Sequence, residues 1–141
     1  MLGWAAMLHE VGLQINSRGV QRHSGYILSN VEMPGFNQEQ QTLLSVLTGF
    51  HRKKIRLLDM PIFSQFSQEK VHRLLALLRL AVLLNIKRQD DILPEFSLIT
   101  KDSEIAISFP DGWLQNKPIF SADLEREAEL LRTLDLKLSY R

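Results

Sequence analysis

A cluster of positively charged residues is the part of the sequence with the clearest chemistry. Residues 51–56 hold four permanent cations and one histidine. They are His51, Arg52, Lys53, Lys54 and Arg56. A polyanion bound here would release counterions, so its affinity would fall steeply with salt. Guanidinium and ammonium groups both complement phosphate, the first as a two-pronged donor and the second as a point charge. The pattern predicts a phosphate-binding surface; the alternative is a solvated loop without a ligand.

Two further arginines, Arg18 and Arg22, extend this surface if their loop lies beside the cluster. Aromatic residues are sparse nearby, and only Phe50 is adjacent to the cluster. Single-stranded nucleic acid is commonly bound on aromatic stacking platforms. The sequence therefore argues against a nucleic-acid partner.

Local motifs indicate no catalytic group. The sequence has neither a glycine-rich phosphate loop nor a G-x-S-x-G nucleophile pattern, and it has no cysteine. We therefore predict no catalytic residue and no cofactor within this chain. Its longest apolar run, residues 74–86, is shorter than the roughly 20 residues of a membrane span and contains Arg79. We expect a buried helix there and a cytoplasmic location, and the sequence leaves peripheral membrane association open.

A histidine beside an acid, His9-Glu10, resembles the motif of the HD superfamily of metal-dependent phosphohydrolases. In that superfamily, adjacent His and Asp residues bind a divalent metal that activates water. The resemblance places Val82 where a later Asp ligand stands, and Asn85 where a second Asp stands. His23 lies near a helix that often carries further ligands. Because an isopropyl group cannot bind a metal, we predict a degenerate motif without a metal site.

Two other interpretations of this motif stay open. His9 and Glu10 are ordinary helix residues in the first, with hydrogen bonds to Ser24 or His23. The second is a stand-alone metal-dependent HD phosphohydrolase.

The spacing of apolar residues predicts the elements that position these groups. Helices are expected over residues 2–11, 20–30, 37–51 and 67–88, with a capping box at Asn37 and Gln40 and an N-cap at Ser67. Alternation after Pro94 predicts a hairpin over residues 96–109. A helix over residues 122–133, capped by Ser121, and a strand over 136–140 follow.

The predicted fold is mainly α. A degenerate HD-like helical bundle occupies residues 1–92, and a small α+β unit of hairpin, helix and strand occupies residues 93–141. The net charge of +1 conceals a net +5 over residues 1–90 and −4 over residues 91–141. Such segregation suggests two parts with different partners. The first helix has no N-cap before Met1, so we expect the chain to begin inside a larger protein.

Several stretches, in order, resemble the exopolyphosphatase / guanosine pentaphosphate phosphohydrolase family. They are WAAMLHEVGL from Trp4, RHSGYIL from Arg22, MPGFNQEQ from Met33, HRKK from His51 and LLRLAVLL from Leu77. The resemblance covers essentially the whole chain and is most specific through residue 90. HRKK is similar to the exopolyphosphatase branch, whereas RQDDILPE from Arg88 resembles the guanosine pentaphosphate branch.

The resemblance implies a division of labour. Actin-like N-terminal domains carry the phosphate loops, the general base and the Mg²⁺ site, while the C-terminal region helps to form a homodimer and a channel for polyphosphate. This chain would be the non-catalytic C-terminal portion of an exopolyphosphatase, inactive alone, with inorganic polyphosphate and its own N-terminal domains as partners. The alternative parent is a guanosine pentaphosphate phosphohydrolase.

Overall fold

The computed structural model describes residues 1–86, 88 and 92–141. Within them, helices α1 to α4 come first, and a sheet with one further helix follows. The helices are α1 (Leu2–Leu8), α2 (Val20–Asn30), α3 (Gln38–Gly49), α4 (Gln68–Leu84) and α5 (Pro118–Arg132). The strands are β1 (Ser97–Lys101), β2 (Glu104–Ser108) and β3 (Lys137–Tyr140). The prediction of a mainly α fold with a small α+β unit is confirmed.

The chain divides into two compact units, Met1–Arg79 and Leu80–Arg141. The division falls inside α4. The domain boundary expected after residue 92 stays a prediction.

The first unit has an aliphatic core shared by its four helices. Fully or almost fully buried side chains come from each of them: Ala5, Val20, Leu28, Leu43, Leu44, Leu47, Leu75 and Leu78. α2 and α3 approach closely at Gly25, where an added Cβ would lie 3.1 Å from the Cα of Gly49. Ser45 Oγ donates to the Gly25 carbonyl at 2.7 Å across this contact. The absence of a side chain at Gly25 therefore lets the two backbones come together.

Helix α1 is shorter than the predicted span of residues 2–11. It ends at Leu8, and a 3₁₀ turn follows at Val11–Gln14. The hydroxyl of Ser24 donates to the His9 carbonyl at 2.7 Å and accepts from the Gly12 amide at 2.9 Å. This side chain satisfies backbone groups that an uninterrupted helix would pair internally.

The caps of the next helices were predictable from local sequence. Asn37 and Gln40 form the expected capping box of α3, and Ser67 Oγ accepts from the Lys70 amide at 3.1 Å at the start of α4. α4 ends at Leu84, before the predicted end at Arg88, and residue 87 of that prediction lies outside the described residues.

The second unit packs α5 against a three-stranded sheet of order β1-β2-β3. β1 and β2 form the predicted hairpin, with Ser97 opposite Ser108, and β3 pairs with β2 in parallel. α5 begins at Pro118, three residues before the predicted cap at Ser121. Proline suits the first helical position because its missing N–H would be unpaired there anyway.

None of the helices in the described part of the chain is both long and apolar enough to cross a membrane.

Candidate functional site

The positively charged residues form an exposed turn directly after α3. We call residues 51–56 the basic turn. Arg52, Lys53, Lys54 and Arg56 are exposed, whereas His51 and Ile55 are buried. Three permanent cations are thus displayed to solvent between two buried side chains, and the fourth, Arg56, follows directly after the second of these.

A buried arginine of α4 is hydrogen-bonded to the backbone at the end of α3 and within the basic turn. Arg79 is 3% exposed. Its Nη1 donates to the Phe50 carbonyl at 2.5 Å, and its Nη2 donates to the Lys53 carbonyl at 2.9 Å. Phe50 is the C-cap residue of α3, where a positive group also interacts favourably with the helix dipole. One guanidinium therefore joins the end of α3 to the middle of the basic turn.

Lys53 has an unusual backbone conformation. Its φ is 64°, in the left-handed region that residues with a side chain seldom adopt. The hydrogen bond from Arg79 to the Lys53 carbonyl holds this conformation in place. Such strain persists only where the surroundings over-determine it, and it is more common at functional sites than elsewhere.

His51 anchors the turn and contributes no charge at neutral pH. Its Nδ1 lies 2.6 Å from the Thr48 carbonyl, and its ring meets the His9 ring edge to face, at 4.9 Å between centroids. Burial, aided by repulsion from His9, Arg52 and Arg79, lowers the pKa of His51 to about 4 despite the Thr48 hydrogen bond. The neutral ring donates Nδ1–H to Thr48, and the turn's charge comes from its lysines and arginines.

Arg18 and Arg22 lie at the same end of the α2–α3 pair as the basic turn. The Gln21 carbonyl, in the first turn of α2, lies 3.9 Å from the Cβ position at Gly49, the last residue of α3. The N-terminus of α2 and the C-terminus of α3 are therefore neighbours. Both arginines are exposed at this end. The extension of the basic surface by Arg18 and Arg22 stays a prediction.

The HD-like residues make structural contacts. His9 Nδ1 lies 2.6 Å from the Ala6 carbonyl, and His9 Nε2 lies 4.0 Å from Glu10 Oε1. His23 Nε2 is 3.0 Å from the Arg18 carbonyl. Ser24, one of the two partners expected for this stretch, binds the His9 backbone.

The remaining positions of the motif lie at the end of α4. Val82 is half-buried, and Asn85 Nδ2 donates to the Ala81 carbonyl of its own helix at 2.8 Å. Among residues 1–86, 88 and 92–141, no group of three His, Cys, Asp or Glu side chains is placed to hold a metal ion. This donor set does not fit a metal centre of the HD type.

Arg79 contacts the basic turn, yet no sequence motif indicates this role. Its signal was its isolation, because it is the one charge within the apolar run of residues 74–86. A buried charge must be hydrogen-bonded or paired, so such an arginine predicts buried acceptors. Sequence could not show that these acceptors are the Phe50 carbonyl at the end of α3 and the Lys53 carbonyl of the basic turn.

Comparisons with known proteins bear on the whole chain. Residues 1–128 match the family model described as Ppx/GppA phosphatase, domain III. The guanosine-5'-triphosphate,3'-diphosphate pyrophosphatase of Pseudoalteromonas translucida is 36% identical over 140 residues, which are 98% of this chain and 28% of that protein. The protein of the same name from Vibrio atlanticus is 37% identical over 128 residues, 91% of this chain and 25% of that protein.

The chain thus spans about a quarter of the length of these curated relatives. Within RQDDILPE, which resembles the guanosine pentaphosphate branch, residues 89–91 lie outside the described residues. The family match extends over most of both the helical part and the α+β part. The chain belongs to the Ppx/GppA phosphatase family, in which it corresponds to domain III.

Proposed function

We propose that this chain is a non-catalytic, phosphate-holding part of a hydrolase that cleaves phosphoric anhydride bonds. The observation that carries the proposal is the basic turn, which displays four exposed cations. Buried Arg79 donates hydrogen bonds to the backbone carbonyls of Phe50 and Lys53 at this turn. Chains of linked phosphates carry closely spaced negative charges. Several cations presented together bind such chains better than the same cations dispersed over a surface.

For the substrate of the whole protein, we favour guanosine-5'-triphosphate,3'-diphosphate. The support is the name of its relatives, including a third from Pseudoalteromonas atlantica that is 37% identical over 130 residues. These names favour the branch that was the alternative in the sequence analysis. Inorganic polyphosphate is the second candidate, supported by the HRKK segment and the four cations of the basic turn.

The chemistry itself is assigned to domains outside this chain. Actin-like N-terminal domains would supply Mg²⁺ and the general base, and a homodimer would bring two of these accessory parts together. The support is that the matched relatives are about three and a half times as long as this chain. The absence of a fitting donor set among the described residues also favours this division over a stand-alone HD phosphohydrolase.

A titration of the 141-residue chain with each candidate anion tests the proposal. We expect binding of guanosine-5'-triphosphate,3'-diphosphate or of long-chain polyphosphate at low salt, with affinity falling steeply from about 50 to about 200 mM salt. The double variant Lys53→Ala/Lys54→Ala should weaken binding and flatten its salt dependence.

The matched control removes two exposed lysines elsewhere, in Lys101→Ala/Lys117→Ala. It makes the same change in net charge and should leave most of the affinity in place. Equal losses in the two double variants would show that only net charge matters. No binding of either anion at low salt would exclude a phosphate-holding role for the chain on its own.

A further inference from the structure

The arrangement around Arg79 has a consequence for the proposed phosphate surface, on which the following inference rests. We propose that Arg79 is a positioning residue, which acts on the bound phosphates only through the conformation of the basic turn. At 3% exposure it is too buried to touch a polyanion itself. Its effect is exerted through the Phe50 and Lys53 carbonyls, to which it donates.

Arginine is required for this contact because two carbonyls are bound by two nitrogens of one planar group. The Nη1 and Nη2 atoms point to acceptors three residues apart in sequence, at 2.5 and 2.9 Å. A lysine has one nitrogen on a flexible stem and presents no such fork. Arg79→Lys therefore keeps the net charge and loses the fixed link between α3 and the basic turn.

The link has a direct effect on how the cations are displayed. Lys53 adopts φ 64° while its carbonyl accepts from Arg79. This left-handed residue lies between Arg52 and Lys54, so its conformation sets the directions in which the neighbouring cations leave the backbone. Without the link, Lys53 would relax to an ordinary φ, and fewer cations would reach one phosphate chain together.

His51 supports the same geometry from the other side. It is buried at 3% exposure, and its ring packs on His9 while its Nδ1 contacts the Thr48 carbonyl. The start of the turn is thus fixed by His51 and its middle by Arg79. The exposed side chains of the turn can therefore adjust to a bound ligand while its backbone stays fixed.

The test measures the salt dependence of polyphosphate binding by the full 141-residue chain. Arg79→Lys should make the slope of log K against log salt shallower by about 0.7–0.9, the loss of one charge contact, although the net charge is unchanged. The control, Arg73→Lys, makes the same substitution at an exposed position of the same helix, where the side chain pairs with Glu69. It should bind as the wild type does.

A second pair of variants tests the turn without altering the core. Lys53→Gly and Lys53→Pro remove the same charge, but glycine accepts a positive φ whereas proline fixes φ near −65°. We expect Lys53→Gly to reduce the slope of log K against log salt by about one charge contact, and Lys53→Pro to reduce it by about twice as much. Circular dichroism should show that both variants are folded. This pair decides the question if Arg79→Lys does not fold.

Three results would overturn the inference. In the first, Arg79→Lys matches Arg73→Lys in affinity and slope. In the second, Lys53→Pro matches Lys53→Gly. If the wild type binds, either result contradicts the positioning role and leaves the phosphate-holding function in place. A wild-type chain that binds neither polyphosphate nor guanosine-5'-triphosphate,3'-diphosphate at low salt would overturn both this inference and the phosphate-holding function.

Discussion

At the residue scale, burial determines which groups of the site carry charge. His51 belongs by sequence to a run of cations, yet its ring lies inside the first unit, between His9 and Thr48. Burial disfavours the imidazolium form. The lysines and arginines beside it remain exposed and permanently charged. Sequence order alone places His51 with these cations, whereas its burial keeps its ring neutral at neutral pH.

The lowered pKa of His51 predicts a loss of stability in mild acid. The unfolded chain takes up a proton near pH 6.5, whereas the folded chain resists it until about pH 4. Between these values the unfolded state binds more protons, so the free energy of unfolding falls as the pH falls. The expected loss is about 3 kcal/mol across this window. Urea unfolding at several pH values measures it.

The matched variant for this prediction is His51→Gln, which retains a donor for the Thr48 carbonyl and cannot titrate. It should flatten the pH dependence between pH 6.5 and 4. An NMR titration that places the His51 ring near its ordinary pKa of 6.5 would contradict the prediction.

At the scale of elements, two contacts hold the helices that carry the site. One is the close approach of α2 and α3 at Gly25. The other joins the first turn of α3 to the segment before α4, where the Glu39 carboxylate accepts from the Ser64 amide and hydroxyl and from the Gln65 amide. These hydrogen bonds hold the pKa of Glu39 below its usual value. Helix α3, which the basic turn follows, is thus held by contacts near both of its ends.

Gly25→Ala should destabilise the first unit. A Cβ there would lie 3.1 Å from the Gly49 Cα and 3.2 Å from the Ser45 carbonyl oxygen, both of which belong to backbone. Separating α2 from α3 should cost about 1–3 kcal/mol, more than alanine gains in helix propensity. Thermal or urea unfolding measures the change.

Gly3→Ala is the matched control, because nothing lies within 4 Å of a Cβ at that position of α1. It should stabilise the chain by roughly 0.5–1 kcal/mol through helix propensity. If both alanines stabilise the protein equally, the α2–α3 contact is looser than the structure shows.

The elements also show which features of the fold could be predicted from the sequence. The capping box at Asn37 and Gln40 and the hairpin of β1 and β2 depend on residues close together in the chain, and both were predicted. The early end of α1 depends on Ser24, and the basic turn depends on Arg79. These partners are distant in sequence, so spacing and propensity could not identify them.

At the scale of the whole molecule, the family match defines what this chain contributes. It corresponds to domain III, and its matched relatives are about three and a half times as long. The positive charge is concentrated in the first 90 residues, with a net +5, and the following residues are net negative. A phosphate chain would therefore be drawn to the helical part.

The chain alone should release no orthophosphate from polyphosphate or from guanosine-5'-triphosphate,3'-diphosphate, even with Mg²⁺ present. The reason is that the proposed catalytic groups lie in domains outside it. A phosphate-release assay with the purified chain measures this. Release that is lost in His9→Ala would contradict the division of labour and support a stand-alone HD phosphohydrolase.

The central claim is that phosphate chains bind at the basic turn, and amide chemical-shift mapping tests it most directly. The ¹⁵N-labelled chain is titrated with polyphosphate at low salt. We predict that the largest shifts fall on residues 52–56 and at the N-terminus of α2, around Arg18 and Arg22, and that they reverse on adding salt. Shifts spread evenly over all exposed lysines and arginines, or confined to the second unit, would contradict the claim.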